Sequence, residues 1–478
     1  MSAPSRPQSL EQRLRKASRI ALYGSLVLAG VLAALLLHLA ADPLSEDYIV
    51  TWHLTDYESL PEVQLLREYV RIDTSLATGS AIEGARFLAR QLEAAEIPYH
   101  LEPVGDRDAN LWAILEGEDP RAVVLHHHID VEDVEDPEAW RHPPFAAELD
   151  LPWLTGLGTY DMKSVGIAQL LAVIDLARSG APLQKSVILL ATTGEETGSH
   201  LGTRWVLREH PELVERFDAV LTEGGVLEGL DLEEVKYWGT EFAQKRFWTL
   251  VACSPDRERL EGLREDVLAY GRPVEAELRI PAELRAFFTA YAPTRDHPRI
   301  RRALEDPERV LRDRAWFAAL PAYVQAMFRN ELHPFYVEEV EGGGWRLPIK
   351  VHLLPGVDFE AVREELLPRW LFHGVETTFY EEPTADHGSP LTHPVLETVE
   401  ETLRRHYPDA PVGPMFLPWT ATDSRFFRAH GIPSYGFTPF RVLTVDALRV
   451  GGAGERIALP AYVEGVAVYR ELLRRLAT

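Results

Sequence analysis

Four short segments of this chain carry side chains able to work on a polar bond. The apolar run Val123-Val124-Leu125 leads into His126-His127-His128-Ile129-Asp130. A His-x-Asp pair at a strand end can set one imidazole on a metal while the carboxylate fixes its orientation. A hydrogen-bonded or solvated histidine cluster is the alternative. Gly156-Leu157-Gly158-Thr159-Tyr160-Asp161-Met162-Lys163 places a flexible turn and then an acid where a helix begins. Asp161 there is either a ligand or an N-cap. Val187 to Thr193 is apolar and runs into Gly194-Glu195-Glu196-Thr197-Gly198, and Val220-Leu221-Thr222 runs into Glu223-Gly224-Gly225. Adjacent acids between glycines, directly after a buried strand, are poorly explained as surface decoration. Carboxylates gathered at one place repel, so a cation is the economical partner, and mixed oxygen and nitrogen donors suit Zn, Mn or Mg, imidazole favouring Zn.

Positioning these segments requires strands that end together. Strand-like runs at Asn110 to Leu115, Ala122 to Val131, Ser186 to Thr193 and Ala219 to Thr222 alternate with helical periods at Leu60 to Ile72, Ile82 to Glu96 and Met162 to Ser179. That alternation predicts an α/β fold with a doubly wound, mainly parallel sheet, whose strand ends share one ligand-binding edge. Beyond Val235 the pattern changes to the strand-like stretch Tyr237 to Cys253, then charged helical stretches at Arg257 to Tyr270, Pro281 to Ala292 and Ile300 to Phe328, and a strand at Leu347 to Leu354. Helices near Pro394 to His406, Thr422 to Ala429 and Ala458 to Leu476, with a strand at Pro433 to Phe437, restore the first pattern. The expected division is a catalytic domain in two parts, 42–235 and 381–478, with an inserted α+β lid domain at 236–380.

Composition narrows the chemistry. The 478 residues carry 49 Lys+Arg against 74 Asp+Glu, a net charge of -25, with no basic stripe, which argues against nucleic acid as a partner. The single cysteine, Cys253, excludes an intrachain disulfide and any cysteine-rich zinc module. No Gly-x-Ser-x-Gly elbow, Walker loop, Gly-x-Gly-x-x-Gly fingerprint or His-Glu-x-x-His helix occurs. Residues 20–41, from Ile20 to Ala41, contain no Asp, Glu, Lys or Arg, and as a helix would cross a hydrocarbon core of about 30 Å. Arg6, Arg13, Arg15, Lys16 and Arg19 precede this run against Glu11 alone, so 1–19 is expected to be a basic cytoplasmic tail and 20–41 a transmembrane anchor, with the acidic body outside the cytoplasm. Leu39-Ala40-Ala41 leaves a cleaved signal peptide as the alternative.

Taken in order, the four segments resemble the zinc-dependent aminoacylase and carboxypeptidase metallopeptidase family, closest to the branch of carboxypeptidase S and the N-fatty-acyl-amino-acid hydrolases. The similarity runs over most of Leu60 to Leu230, includes Trp140 and Pro144-Phe145, and resumes at Thr422-Asp423-Ser424-Arg425-Phe426-Phe427. The resemblance implies that His128 and Glu223 ligate one zinc, that Asp161 bridges to a second held by Glu196, that Asp130 supports His128 and that Glu195 is the general base. It implies hydrolysis of a peptide or N-acyl amino acid by an activated water, and inserted domains of that family often mediate homodimers.

The sequence also departs from that pattern. Where the family carries a zinc histidine, the stretch Arg449 to Ile457 has Gly451. One zinc is therefore expected at His128, Asp161 and Glu223, and the position at Glu196 lacks its imidazole. His387, His393 and His430 are the candidates to replace it. The lid segments are altered around Ala252 to Asp256 and at Arg329-Asn330-Glu331. A catalytically silent relative acting as a binding module is accordingly the competing expectation.

Overall fold

The computed structural model describes residues 56–134, 136–229, 235–270, 277–340, 343–358, 360–362, 364, 374–379 and 387–478. The expected basic tail and anchor at 1–41 lie outside these residues. Among the described residues no helix is long and apolar enough to cross a membrane.

Strands Lys185–Thr192 and Asp119–His128 lie inside a ten-stranded sheet, and every residue from Ser186 to Thr192 and from Ala122 to His128 is buried. Asp119–His128 pairs in parallel with Lys185–Thr192 on one side and with Phe217–Thr222 on the other. Its two parallel neighbours thus flank it, and the crevice between them opens at His128, the kind of switch point where open sheets bind ligands. Ser434–Gly436 extends the parallel run beside Phe217–Thr222. Tyr99–Pro103 and Ala109–Leu115 are antiparallel additions at one edge, and Val226–Gly229 with Val235–Gln244 forms an antiparallel pair toward the other.

Helices Ser164–Ser179 and Leu459–Ala477 pack on each other and on this sheet. In the latter, Leu459, Tyr462, Val466, Tyr469 and Leu473 are buried at helical spacing, which gives one apolar stripe.

The strand-like stretch after Val235 divides between two sheets. Val235–Gln244 belongs to the large sheet, whereas Arg246–Ser254 pairs antiparallel with Trp345–Leu353 and Glu376–Phe379 in a separate five-stranded sheet that Glu331–Pro334 and Glu338–Glu339 complete. Helix Arg257–Tyr270 lies on this second sheet with Leu260, Leu263 and Val267 buried. The single helical stretch expected over Ile300 to Phe328 is instead a series of short helices, Pro298–Glu305, Pro307–Arg312, Arg314–Ala318 and Ala322–Gln325. Pro307 and Pro321 lack the amide that would continue a helix, and Asp313 caps a new start by accepting from the Trp316 amide at 2.9 Å.

Candidate metal centre and active site

His128 ends its strand and is 1% exposed. Its Nδ1 donates to the main-chain carbonyl of Asp130 at 2.9 Å, because a carbonyl can only accept. That bond turns Nε2 toward Asp161 Oδ1 at 3.1 Å and Glu223 Oε1 at 3.7 Å. Donor atoms from His128, Asp161 and Glu223 lie within 4.8 Å of one another. The expected support from Asp130 therefore arrives through its backbone; its carboxylate stands 3.8 Å from Nδ1 and accepts instead from the Glu196 amide at 3.1 Å. Asp161 is not an N-cap: the helix begins at Ser164, and Asp161 has the non-helical angles φ -109, ψ 98, which free its carboxylate for His128.

Glu195 and Glu196 follow their strand on a short turn held between Gly194 at φ +74 and Gly198 at φ +91, a left-handed geometry that suits glycine at both ends. Glu196 does not join the close donor set of His128, Asp161 and Glu223. Its carboxylate senses Asp161 and lines a cavity of 450 Å³ with Glu195. The segment Thr422 to Arg425 supports this turn. Buried Asp423 accepts from the hydroxyls of Ser199 and of Thr203, the latter at 2.5 Å, and Arg425 Nη1 lies 3.6 Å from Glu195 Oε1.

Charge balance identifies what the cluster wants. Burial, then the Asp161 carboxylate, pushes Glu223 up to about 8. Burial raises Glu195 well above the usual carboxylate range against the opposing Arg425, and burial with Asp161 does the same for Glu196. Burial disfavours a charge on His128, yet Glu223 and Asp161 outweigh it and hold the imidazole well above its ordinary value. Burial and mutual repulsion thus disfavour the negative charges gathered here, and a divalent ion at the donor set would offset them. The donor set fits one: a buried imidazole with its tautomer fixed and two carboxylates aimed at the same nitrogen.

One buried acid of the Arg449 to Ile457 stretch is not among the expected site residues. Glu455 is 1% exposed and accepts from four main-chain amides: Tyr160 at 2.6 Å, Asp161 at 3.1 Å, Gly158 at 3.2 Å and Gly451 at 3.1 Å. It ties the Asp161 loop to the C-terminal stretch that carries Gly451. Neither His393 nor His430 belongs to a close donor group among the described residues. The His393 Nδ1 accepts from the Val395 amide at 3.3 Å, and the His430 Nδ1 donates to the Phe426 carbonyl at 3.0 Å. His387 is absent from the close donor groups among the described residues.

The cavity at Glu195 is closed by the second sheet. Phe247, Lys350 and His352 line it from there, with Trp419 and Arg425 completing the wall. Glu331, His333 and His352 form another close donor group. Lys245 at 2.8 Å and Arg329 at 3.2 Å already neutralise Glu331, so a cation at this group would compete with two positive charges for its one carboxylate.

The chain belongs to Peptidase family M20/M25/M40, a hydrolase family whose profile matches residues 124–475. It is similar to aminoacylase-1A of Rattus norvegicus, 24% identical over 87% of this chain and 96% of the relative. A "Probable succinyl-diaminopimelate desuccinylase" of Staphylococcus epidermidis is 36% identical over 136 residues, which cover 28% of this chain and only 33% of that relative's length. An M20 family metallo-carboxypeptidase from Sulfolobus solfataricus has a similar fold, with a TM-score of 0.66 at 16% identity over 87% of this chain and 99% of that one.

Proposed function

We propose that this protein is a metal-dependent hydrolase of amide bonds in peptides or N-acyl amino acids. The observation that carries the reading is the convergence of His128, Asp161 and Glu223 beside a cavity that also holds Glu195. His128, Asp161 and Glu223 would hold the cation, zinc by donor chemistry, with Glu196 at the margin of a second position. A divalent cation there supplies Lewis acidity, which makes a water more acidic and polarises a carbonyl. Glu195 takes the proton from that water as its oxygen adds to the amide carbon, and returns it to the leaving nitrogen as the C–N bond breaks. Arg425 holds the Glu195 carboxylate in place, and Asp130 keeps the His128 tautomer. Lys350 and Arg425 provide positive charge in the same cavity for a substrate carboxylate.

The anchor at 20–41 belongs to this reading, with the hydrolase body outside the cytoplasm; extraction of the chain from membranes by detergent but not by alkaline carbonate supports it. The division into parts 42–235, 236–380 and 381–478 belongs to it as well. Gly451, standing where a donor is expected, favours a second reading, a silent relative that binds a metal or ligand. Zinc content of the full chain in detergent, followed by Glu195→Gln, separates the two. A hydrolase retains its zinc in this variant and loses turnover about 10²–10⁴-fold. A wild-type chain that holds zinc yet cleaves no peptide or N-acyl amino acid supports the second reading.

A further inference from the structure

A second cavity, of 350 Å³, lies against the Gly451 stretch and shares Glu132 with the cavity at Glu195. One wall is Gly451, Gly452 and Ala453, which present only backbone and a methyl group; Val134, Trp140 and Leu157 supply the apolar surface. Two of the acids that line it accept from main-chain amides. Asp133 accepts from the Ala77 amide at 2.8 Å, and Asp136 accepts from the Glu138 amide at 3.1 Å. A Cβ on Gly451 would lie 3.4 Å from Glu132 Cγ, so a longer side chain at this position would project into space that now belongs to the cavity.

We infer that this cavity is the acyl subsite, and that glycine at 451 opens a binding pocket beside the metal centre for a neutral, apolar acyl chain of about six carbons. The size lies at the low end of ligand pockets, roughly 300–1,000 Å³. Electrostatics sets the orientation. Glu132, Asp133 and Asp136 repel a carboxylate from this side, while Lys350 and Arg425 attract one on the other, so an N-acyl amino acid lies with its acyl chain at Gly451 and its carboxylate toward the second sheet.

The inference rests on the amide-hydrolase reading, and the test keeps the two apart. Val134→Phe and Ala453→Leu fill the cavity from separate walls, so a folding failure of one leaves the other. N-hexanoyl-leucine and N-acetyl-leucine are compared for the full chain and both variants, with zinc content measured alongside. The expected result is a wild-type preference for the hexanoyl substrate and a fall of at least tenfold in the hexanoyl-to-acetyl ratio of kcat/KM, carried by KM, at unchanged zinc. An unchanged ratio, or a wild-type preference for acetyl, overturns the assignment. Calorimetry with hexanamide, a neutral probe, provides a readout independent of turnover. Binding weakened tenfold by either variant, in a chain that hydrolyses neither substrate, supports the pocket and overturns only the hydrolase reading, whereas absent binding in such a chain overturns the pocket.

Discussion

Two regions meet at the candidate metal centre, and they differ in what they contribute. On the strand side, His128 and Glu223 stand at the ends of neighbouring parallel strands, and with Asp161 they form a complete donor set. On the C-terminal side, the stretch Arg449 to Ile457 offers no imidazole; Gly451 stands there, and Glu455, four residues on, accepts from four amides. The difference shows that ligation and scaffolding are separable. A stretch without its donor still holds Asp161 in position, because Glu455 spans both loops.

The largest expected effect comes from breaking that scaffold. Glu455→Leu would leave four main-chain amides without this acceptor, that of Gly158 buried and the other three partly buried, and a fully buried unsatisfied group costs about 1–3 kcal/mol. Partial entry of water would reduce the sum, so a loss of about 3 kcal/mol or more in urea unfolding is expected, together with a drop in zinc affinity of roughly 10–100-fold, the range for outer-shell residues. If zinc affinity in the folded variant equals that of the wild type, Glu455 is only structural and the contrast between the two sides fails.

A second, smaller effect sharpens the strand side. Glu223 in the metal-free protein is pushed up to about 8, and His128 is held above its ordinary value. Below pH 8 a cation must therefore displace at least one proton from the carboxyl and, while the imidazole is charged, another from His128. Apparent affinity should fall as pH drops from 8 to 6.5, by about tenfold per pH unit for each proton released. Calorimetry of zinc binding in two buffers of different ionisation enthalpy counts those protons. Zero release, with affinity flat across that range, would mean the three donors do not ligate the ion.

The two regions also differ in how far sequence exposes them. His128, Asp161, Glu195 and Glu223 are legible because each follows an apolar strand or a glycine turn, and parallel strands must bring such ends together. Helix Pro394–His406 is legible for a similar reason, a stripe of Val395, Val399 and Leu403 after a proline start. Glu455 is not, since a lone acid in a glycine loop looks like a solvated one, and three of its four amides lie nearly three hundred residues away. His352 and Lys350 were equally hidden. They sit on alternate positions of one strand of the second sheet, and nothing local says that this face closes over Glu195. The breaks after Ile300 are marked in the sequence by Pro307 and Pro321, within a charged composition that otherwise favours one continuous helix.

The smallest effect concerns Gly451 itself. Its φ is +71, in the left-handed region, where an L side chain costs about 1–2 kcal/mol. A Cβ would meet Glu132 Cγ at an ordinary 3.4 Å, so crowding adds little. Gly451→His should therefore fold with a stability loss of about 1 kcal/mol, read from the urea midpoint. The imidazole would begin from a backbone that aims Cβ at Glu132, and zinc content is expected to remain at one per chain. Two zinc ions per chain in Gly451→His, with unchanged stability, would show that the stretch still holds the geometry of a ligand. In that case the only thing separating the two sides of the centre would be one side chain, and the complete site would be recoverable by a single substitution.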